Sequence, residues 1–404
     1  MEAKMLSVAE ITEQLNAFLD KSRSNNKLVY DSDLRQLSEA ARKVGLATEA
    51  QGDTVHRIAH ASLQVPLAQI GIDTKLFDHM AKMSESTASV AALAKETNVD
   101  PPLMKRLLRY YQSMGMVSQL GDDEYTSNNV TKAIATQGGR AGISYYHYMI
   151  NQTFTAFPEF LRKTNYVDPT DNTNCPWHLG HKTDKSPFEW LPMHPKLMTD
   201  YFLPWMASQR DGLPTFFDVL DFEKELGQGA DESTVLFIDI GGAQGHQCVA
   251  FKANYPHLKG RVILQDLPAV IETVNANRPP GLEGVETQVW NALETSQPIK
   301  GARAYYLRNV LHDFPDVECV KILQNIKTGM TDESVILVDE MALPERDAPW
   351  RATQLDMSMI TCLAARERSE LEWHKLFDQA GLHVRAVCQY TDQLHDCVMV
   401  AVPK

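Results

Sequence analysis

Basic residues are in short supply in this 404-residue sequence, cysteines never fall in closely spaced pairs, and long apolar runs are absent. The charge balance, 39 Lys and Arg against 52 Asp and Glu for a net −13, argues against a surface that coats nucleic acid. Six cysteines stand apart at Cys175, Cys248, Cys319, Cys362, Cys388 and Cys397. Without a CxxC pair or a tight Cys/His grouping, they do not read as a structural zinc site. The opening MEAKMLSVAEITEQLNAFLDKS is broken by acids and polar residues, so it lacks the apolar centre of a secretory signal. No stretch is long enough to span a bilayer, so no membrane insertion is expected and a reducing, cytoplasmic setting is the default. What remains is 44% hydrophobic and 23% charged, the composition of a globular protein long enough for two domains.

Three regions are expected: a helical region over 1–140, a connector over 141–222, and an α/β domain over 223–404. ITEQLNAFLDKS, LRQLSEAARKVG, IAHASLQVPLAQIGI and LFDHMAKM repeat apolar residues at helical spacing, with Pro66 breaking or starting a helix. SVAALAKETNVDPPLMKRLLRYYQSMGMVSQLGDDEYTSN reads as a helix carrying Ala91, Leu93 and Ala94, a turn, and a second helix. Gly115 ends that helix, and a two-stranded wing follows, the pattern of a winged helix-turn-helix. Leu103, Leu107 and Met114 are the apolar stripe expected on the second helix. Lys105, Arg106 and Arg109 on it either face DNA or are solvated; the large domain that follows favours packing or dimer formation, with no nucleic acid expected. In 141–222, YYHYMINQTFTAFPEFL and SPFEWLPMHPKLMTDYFLPWM either line a bulky apolar cavity or bury one another. His147 and Met206 in these segments are candidate substrate contacts; a packing role for His147 is equally open.

After GQGADEST the pattern changes. VLFIDI, GRVILQDL, ARAYYLRNV, SVILVDEMAL, VRAVCQY and CVMVAV read as strands alternating with helices, a mostly parallel sheet covered on both faces. Gly241, Gly242 and Gly245 form a turn that lets a ligand approach backbone at a helix start. Asp266 follows Gly245 by 21 residues, at the next strand end, where a carboxylate can accept both hydrogens of a ribose diol. Asp239 either holds the glycine turn or faces the ligand. The turn does not match the nicotinamide fingerprint, because Ala243 and His246 stand where glycines are required.

IDIGGAQGHQCVAF, RVILQDLPAVI, GARAYYLRNVLHDFPD, VILVDEMALPE and ARERSELEWHKLFDQAGL together resemble the class I S-adenosylmethionine-dependent O-methyltransferases of plant phenolics and fungal polyketides. That resemblance implies a C-terminal Rossmann-like methyltransferase domain with an N-terminal winged-helix dimerisation region, and hence a homodimer. It places Asp239 and the Gly241–Gly245 turn around the methionine part of the cofactor, and Asp266 and Leu267 at the ribose and adenine. Asn291 falls near a position commonly held by an acid, and Ala243 replaces a common glycine. His312 is implied as the base that takes a hydroxyl proton during direct displacement at the activated methyl, with no metal required. Glu340 and Glu367 would flank its ring, and Asp313 would hold the loop or contact the cofactor. Met357 and Met359 either form an adaptable substrate wall or fill a core. The substrate implied is a small aromatic or lipophilic compound, phenolic or enolic. Methyltransferase-like pericyclases, which bind the cofactor without donating its methyl, use the same fold and are the alternative. Retention of His312 and Asp313 with Glu340 and Glu367 favours methylation; a noncatalytic DNA-binding protein is the third reading.

Overall fold

The computed structural model describes residues 11–13, 15, 32–83, 86–210 and 212–404, so most of the helix expected in ITEQLNAFLDKS lies outside the described residues. The chain divides into two compact units, Met1–His147 with Asp200–Gln209, and Tyr148–Thr199 with Arg210–Lys404. The segment expected as a connector, 141–222, is thus shared between them.

In the first unit, helices Ser32–Thr48, Gln51–His60, Gln64–Asp73 and Leu76–Lys82 precede the helix pair Val90–Thr97 and Pro101–Ser113. Pro66 falls in the first turn of Gln64–Asp73, where its missing N–H costs nothing, so it begins a helix and interrupts none. The pair is set by its caps. Ser89 accepts from the amide of Ala92, and Asp100 from that of Leu103. Gly115, at φ +69°, closes the second helix, and strands β1 (Ser118–Gly121) and β2 (Glu124–Thr126) form an antiparallel hairpin. The buried face of Pro101–Ser113 differs from the expected stripe. Leu103 and Met114 are 46% and 47% exposed, while Met104, Leu107, Leu108 and Tyr111 are buried. Spacings of three and four from Met104 define one helix side, and Tyr111 fixes it by donating to the carbonyl of Leu67 at 2.7 Å. Each side chain fully buried there contributes roughly 1.5–3 kcal/mol.

The second unit is built on an eight-stranded sheet. Its strands are β3 (Val235–Ile240), β4 (Arg261–Asp266), β5 (Glu286–Val289), β6 (Ala304–Arg308), β7 (Val335–Leu343), β8 (Arg368–Ser369), β9 (Leu382–Gln389) and β10 (Asp396–Pro403). The order is β5-β4-β3-β6-β7-β10-β9, with β8 beside β7. Strands β3 to β7 are parallel, while β10 runs antiparallel to both β7 and β9. Alternation along the strands feeds two cores. Ile238, Tyr305, Leu307, Ile336 and Val338 face helices Asp316–Lys327 and Glu370–Gln379. Phe237, Leu264, Tyr306 and Leu337 face Phe222, Phe251 and Ile271 on the other side. Both faces being covered, the strands are apolar nearly throughout, which is what made them legible. Before the sheet, the rings of Trp177, His181, Trp190 and His194 follow one another with centroids 3.9, 4.9 and 3.7 Å apart, the last pair stacked, so within SPFEWLPMHPK Trp190 and His194 pack on each other. No helix among the described residues is long and apolar enough to cross a membrane.

Candidate active site

Most polar groups of the candidate site lie on β3, β4, β6 and β7 or on the loops that follow them; Asn291 follows β5, Tyr390 follows β9, and Asp356 and Glu367 come from the helix Trp350–Leu363 and the segment after it. Strand β7 carries two consecutive acids within its length, Asp339 and Glu340, and alternation sends them to opposite faces. Asp339 turns to the face of Tyr306, where it accepts from Tyr306 at 2.5 Å and from Tyr390, and lies 3.7 Å from Nε of Arg308. Glu340 turns to the other face and accepts from the amides of Val310 and Leu311 at 2.8 and 2.9 Å through Oε1. Those two amides open the short 3₁₀ turn Leu311–Asp313, so the strand carboxylate fixes the loop that carries His312.

The imidazole of His312 lies 13% exposed, its Nδ1 2.8 Å from Oε1 of Glu367 and 3.9 Å from Oε2 of Glu340. Its Nε2 is 3.5 Å from Asp313. Glu367 is itself held, its amide donating to Asp356 at 2.9 Å. A carboxylate on Nδ1 fixes the tautomer that leaves Nε2 as the nitrogen able to accept a proton. Burial pulls the ring's pKa down, but Glu367, Glu340 and Asp313 outweigh it and raise the pKa to about 10. Burial pushes Glu340 up to about 7 and Asp313 up to about 6, in each case opposed by His312. Oε2 of Glu340 and Oε2 of Glu367 are buried without a hydrogen-bond partner among the described residues. His312, Glu340 and Glu367 also each offer one ligand atom within 4.8 Å of the others, a grouping able to hold a metal ion.

A second group of residues lies at β3 and β4. Gly241 and Gly245 adopt φ +68° and +78°, and a Cβ added there would come 2.9 Å from Val310 and 2.5 Å from Leu282. A Cβ at Gly242 would come 2.4 Å from the carboxyl of Asp239. Between them Ala243 is held at φ 50°, a left-handed conformation costing roughly 1–2 kcal/mol for a residue with a Cβ. Its amide donates to Asp266 at 2.8 Å, and Asp266 also accepts from Leu267 at 2.7 Å, so the β4 carboxylate braces the turn. Asp239 is buried; burial raises its pKa to about 7, with nearby Asp266 pushing the same way and Arg308 opposing. Two carboxylates beside a close-packed turn fit a cofactor bearing an ammonium group and a ribose diol. Asn291 is half-buried and accepts from the amide of Leu293 at 3.0 Å.

Of the remaining candidates, Met357 and Met359 lie on helix Trp350–Leu363, with Met357 45% exposed. His147 and Met206 belong to the first unit. Arg308, Asp339, Asp356 and Arg368 were missed. For the first two a signal existed: Arg308 closes the otherwise apolar strand AYYLR at the sheet end where ligands bind, and Asp339 is a charge inside the otherwise apolar run VILVDEMAL. Asp356 had none, since its contact depends on the fold of helix and loop.

Residues 223–383 match the O-methyltransferase domain family. The chain is 36% identical over 366 residues to O-methyltransferase lepI of Aspergillus flavus, covering 90% of this chain and 93% of that one. It is 35% identical over 370 residues to demethylsterigmatocystin 6-O-methyltransferase of Aspergillus parasiticus, covering 92% and 93%. Among solved structures, LepI in complex with SAM superposes with a TM-score of 0.87 at 34% identity, over 98% of this chain and 100% of that one. A structure described as a pericyclic reaction enzyme superposes with a TM-score of 0.86 at the same identity and coverage.

Proposed function

The chain belongs to the S-adenosylmethionine-dependent O-methyltransferase family, and we propose that it methylates a hydroxyl of a small aromatic or enolic secondary metabolite of fungal polyketide type with His312 as general base. The observation that carries this reading is the imidazole held on Nδ1 by Glu367 with Nε2 left to accept. S-Adenosylmethionine supplies a methyl carbon activated by positively charged sulfur. Asp239, the Gly241, Gly242 and Gly245 turn, Asp266 and Leu267 would hold it, with Asn291 and Asp313 as further contacts. On the substrate side, His147, Met206, Met357 and Met359 are the proposed contacts.

With that cofactor bound, Nε2 of His312 would take the proton of the substrate hydroxyl as its oxygen displaces the activated methyl group, the bonding pair going to the sulfur as leaving group. Glu367 and Glu340 stabilise the imidazolium that results. Replacing His312 by Ala should lower turnover on the order of 10²–10⁴-fold while leaving cofactor affinity nearly intact. Turnover at the wild-type rate would remove His312 from the mechanism.

One observation favours a second reading, the pericyclase. The acids that raise the pKa of His312 favour its protonated form, and in that form the ring is suited to donate a hydrogen bond to a substrate carbonyl. The likeness to a pericyclic reaction enzyme over 98% of the chain supports the same alternative. We further propose a homodimer: Val44, Leu46, Val55 and Ile58, on the first two described long helices, are 45–64% exposed, an apolar surface a second copy would cover. The reducing interior of a cell is the proposed setting, in keeping with six free cysteines.

A further inference from the structure

Residue Arg368 is 1% exposed, and each of its three guanidinium nitrogens makes a hydrogen bond. Nη1 donates to the carbonyl of Leu311 at 3.0 Å, and Nη2 to that of Phe314 at 2.9 Å. These carbonyls bracket His312 and Asp313. Nε and Nη2 also donate to Asp316 at 2.9 and 2.7 Å, and the cation sits 5.1 Å from the centre of the Trp373 ring. On the opposite side of the same turn, Glu340 accepts the amides of Val310 and Leu311. A carboxylate therefore takes the turn's donors and a guanidinium its acceptors, while the neighbour of Arg368 in sequence, Glu367, takes the ring. Strand β8 ties that dipeptide to β7 through the pairing of Arg368 with Ala342, so ring, loop and both acids share one framework.

From this we infer that Arg368 is a positioning residue for the reaction, holding the His312 turn so that the imidazole keeps its Glu367 bond and its aim. The inference rests on His312 acting on substrate, as proposed above. A buried arginine whose only task was charge balance would need Asp316 alone; the fork on two carbonyls flanking the base needs planar guanidinium geometry, which the single nitrogen of lysine cannot supply. Nothing about Arg368 stood out in ARERSE, because its partners come from a loop more than fifty residues earlier.

The test uses Arg368→Lys, and Asp316→Asn as a milder variant that loosens the guanidinium from its half-exposed side. The readouts are the proton NMR line of His312 Nδ1–H, identified by its loss in His312→Ala, and the separate kcat and KM values. In Arg368→Lys the line should shift or broaden and kcat should fall on the order of 10²-fold, as misplacing a catalytic group does. The KM for the cofactor should stay within about twofold, since uniform binding is untouched. Asp316→Asn should move the line the same way with a smaller loss of kcat. A folded Arg368→Lys with the wild-type line and kcat overturns the inference, and if that variant does not fold, an unmoved line in Asp316→Asn overturns it. The line is read without any methyl transfer. A shifted line in a protein that rearranges its substrate would sink the methyl-transfer reading and leave the clamp standing.

Discussion

At the scale of single residues, the site concentrates charge and strain. Ala243, Asn309 and Ala364 all adopt left-handed backbone, at the glycine turn, at the end of β6 and at the end of the helix before Glu367. His312 lies among three acids, and the sign of its titration follows from them. The form competent as a base is the neutral ring, so turnover should rise with pH toward the ring's value of about 10. Glu367→Gln removes the largest of the charges that raise it, while the downward pull of burial remains. The limb of the kcat/KM profile that rises with pH should then move to lower pH. Its plateau should also drop roughly tenfold or more, because the tautomer is no longer held by a carboxylate. A profile that stays in place would show that the titrating group is not His312. His312, Glu340 and Glu367 were identified from motifs alone, and the structure brings them into one cluster. Arg368 and Asp356 were not legible, because each acts through backbone groups whose position only the fold determines.

Whole elements were readable to the degree that their burial is uniform. The strands from β3 to β10 that are covered on both faces stand out as apolar runs; β5, ETQV, does not, being a short edge strand with two exposed ends. The helix Pro101–Ser113 was found, but its inward side was misplaced, since Leu103 and Met104 are neighbours in sequence and only one can face Tyr111's side of the core. The helix Gln51–His60 buries no residue within the chain. Isolated helices of that length are marginal, which is a reason to expect a covering surface. If a second copy provides it, the protein should sediment at twice its 45.4 kDa mass. Ile58→Glu, a change at a position 64% exposed, should then shift it to the monomer without loss of helix content. Sedimentation of the wild type as a monomer at micromolar concentration would remove the homodimer.

For the whole molecule, the question is which reaction the family's architecture performs here. A mixed sheet with acids near its strand ends and an imidazole bonded to Glu367 are suited to the proposed roles of holding the cofactor and accepting a proton. The same imidazole, protonated, would serve a rearrangement equally well, so geometry gives both reactions the same residues. What divides them is the fate of one carbon. Incubation with cofactor carrying a trideuterated methyl group, and a panel of phenols and enolic dicarbonyl compounds, followed by mass spectrometry, follows that carbon directly. The label should appear on oxygen in the product, with one S-adenosylhomocysteine formed for each product molecule. An isomerised or dehydrated product without label, and cofactor recovered intact, would contradict the account.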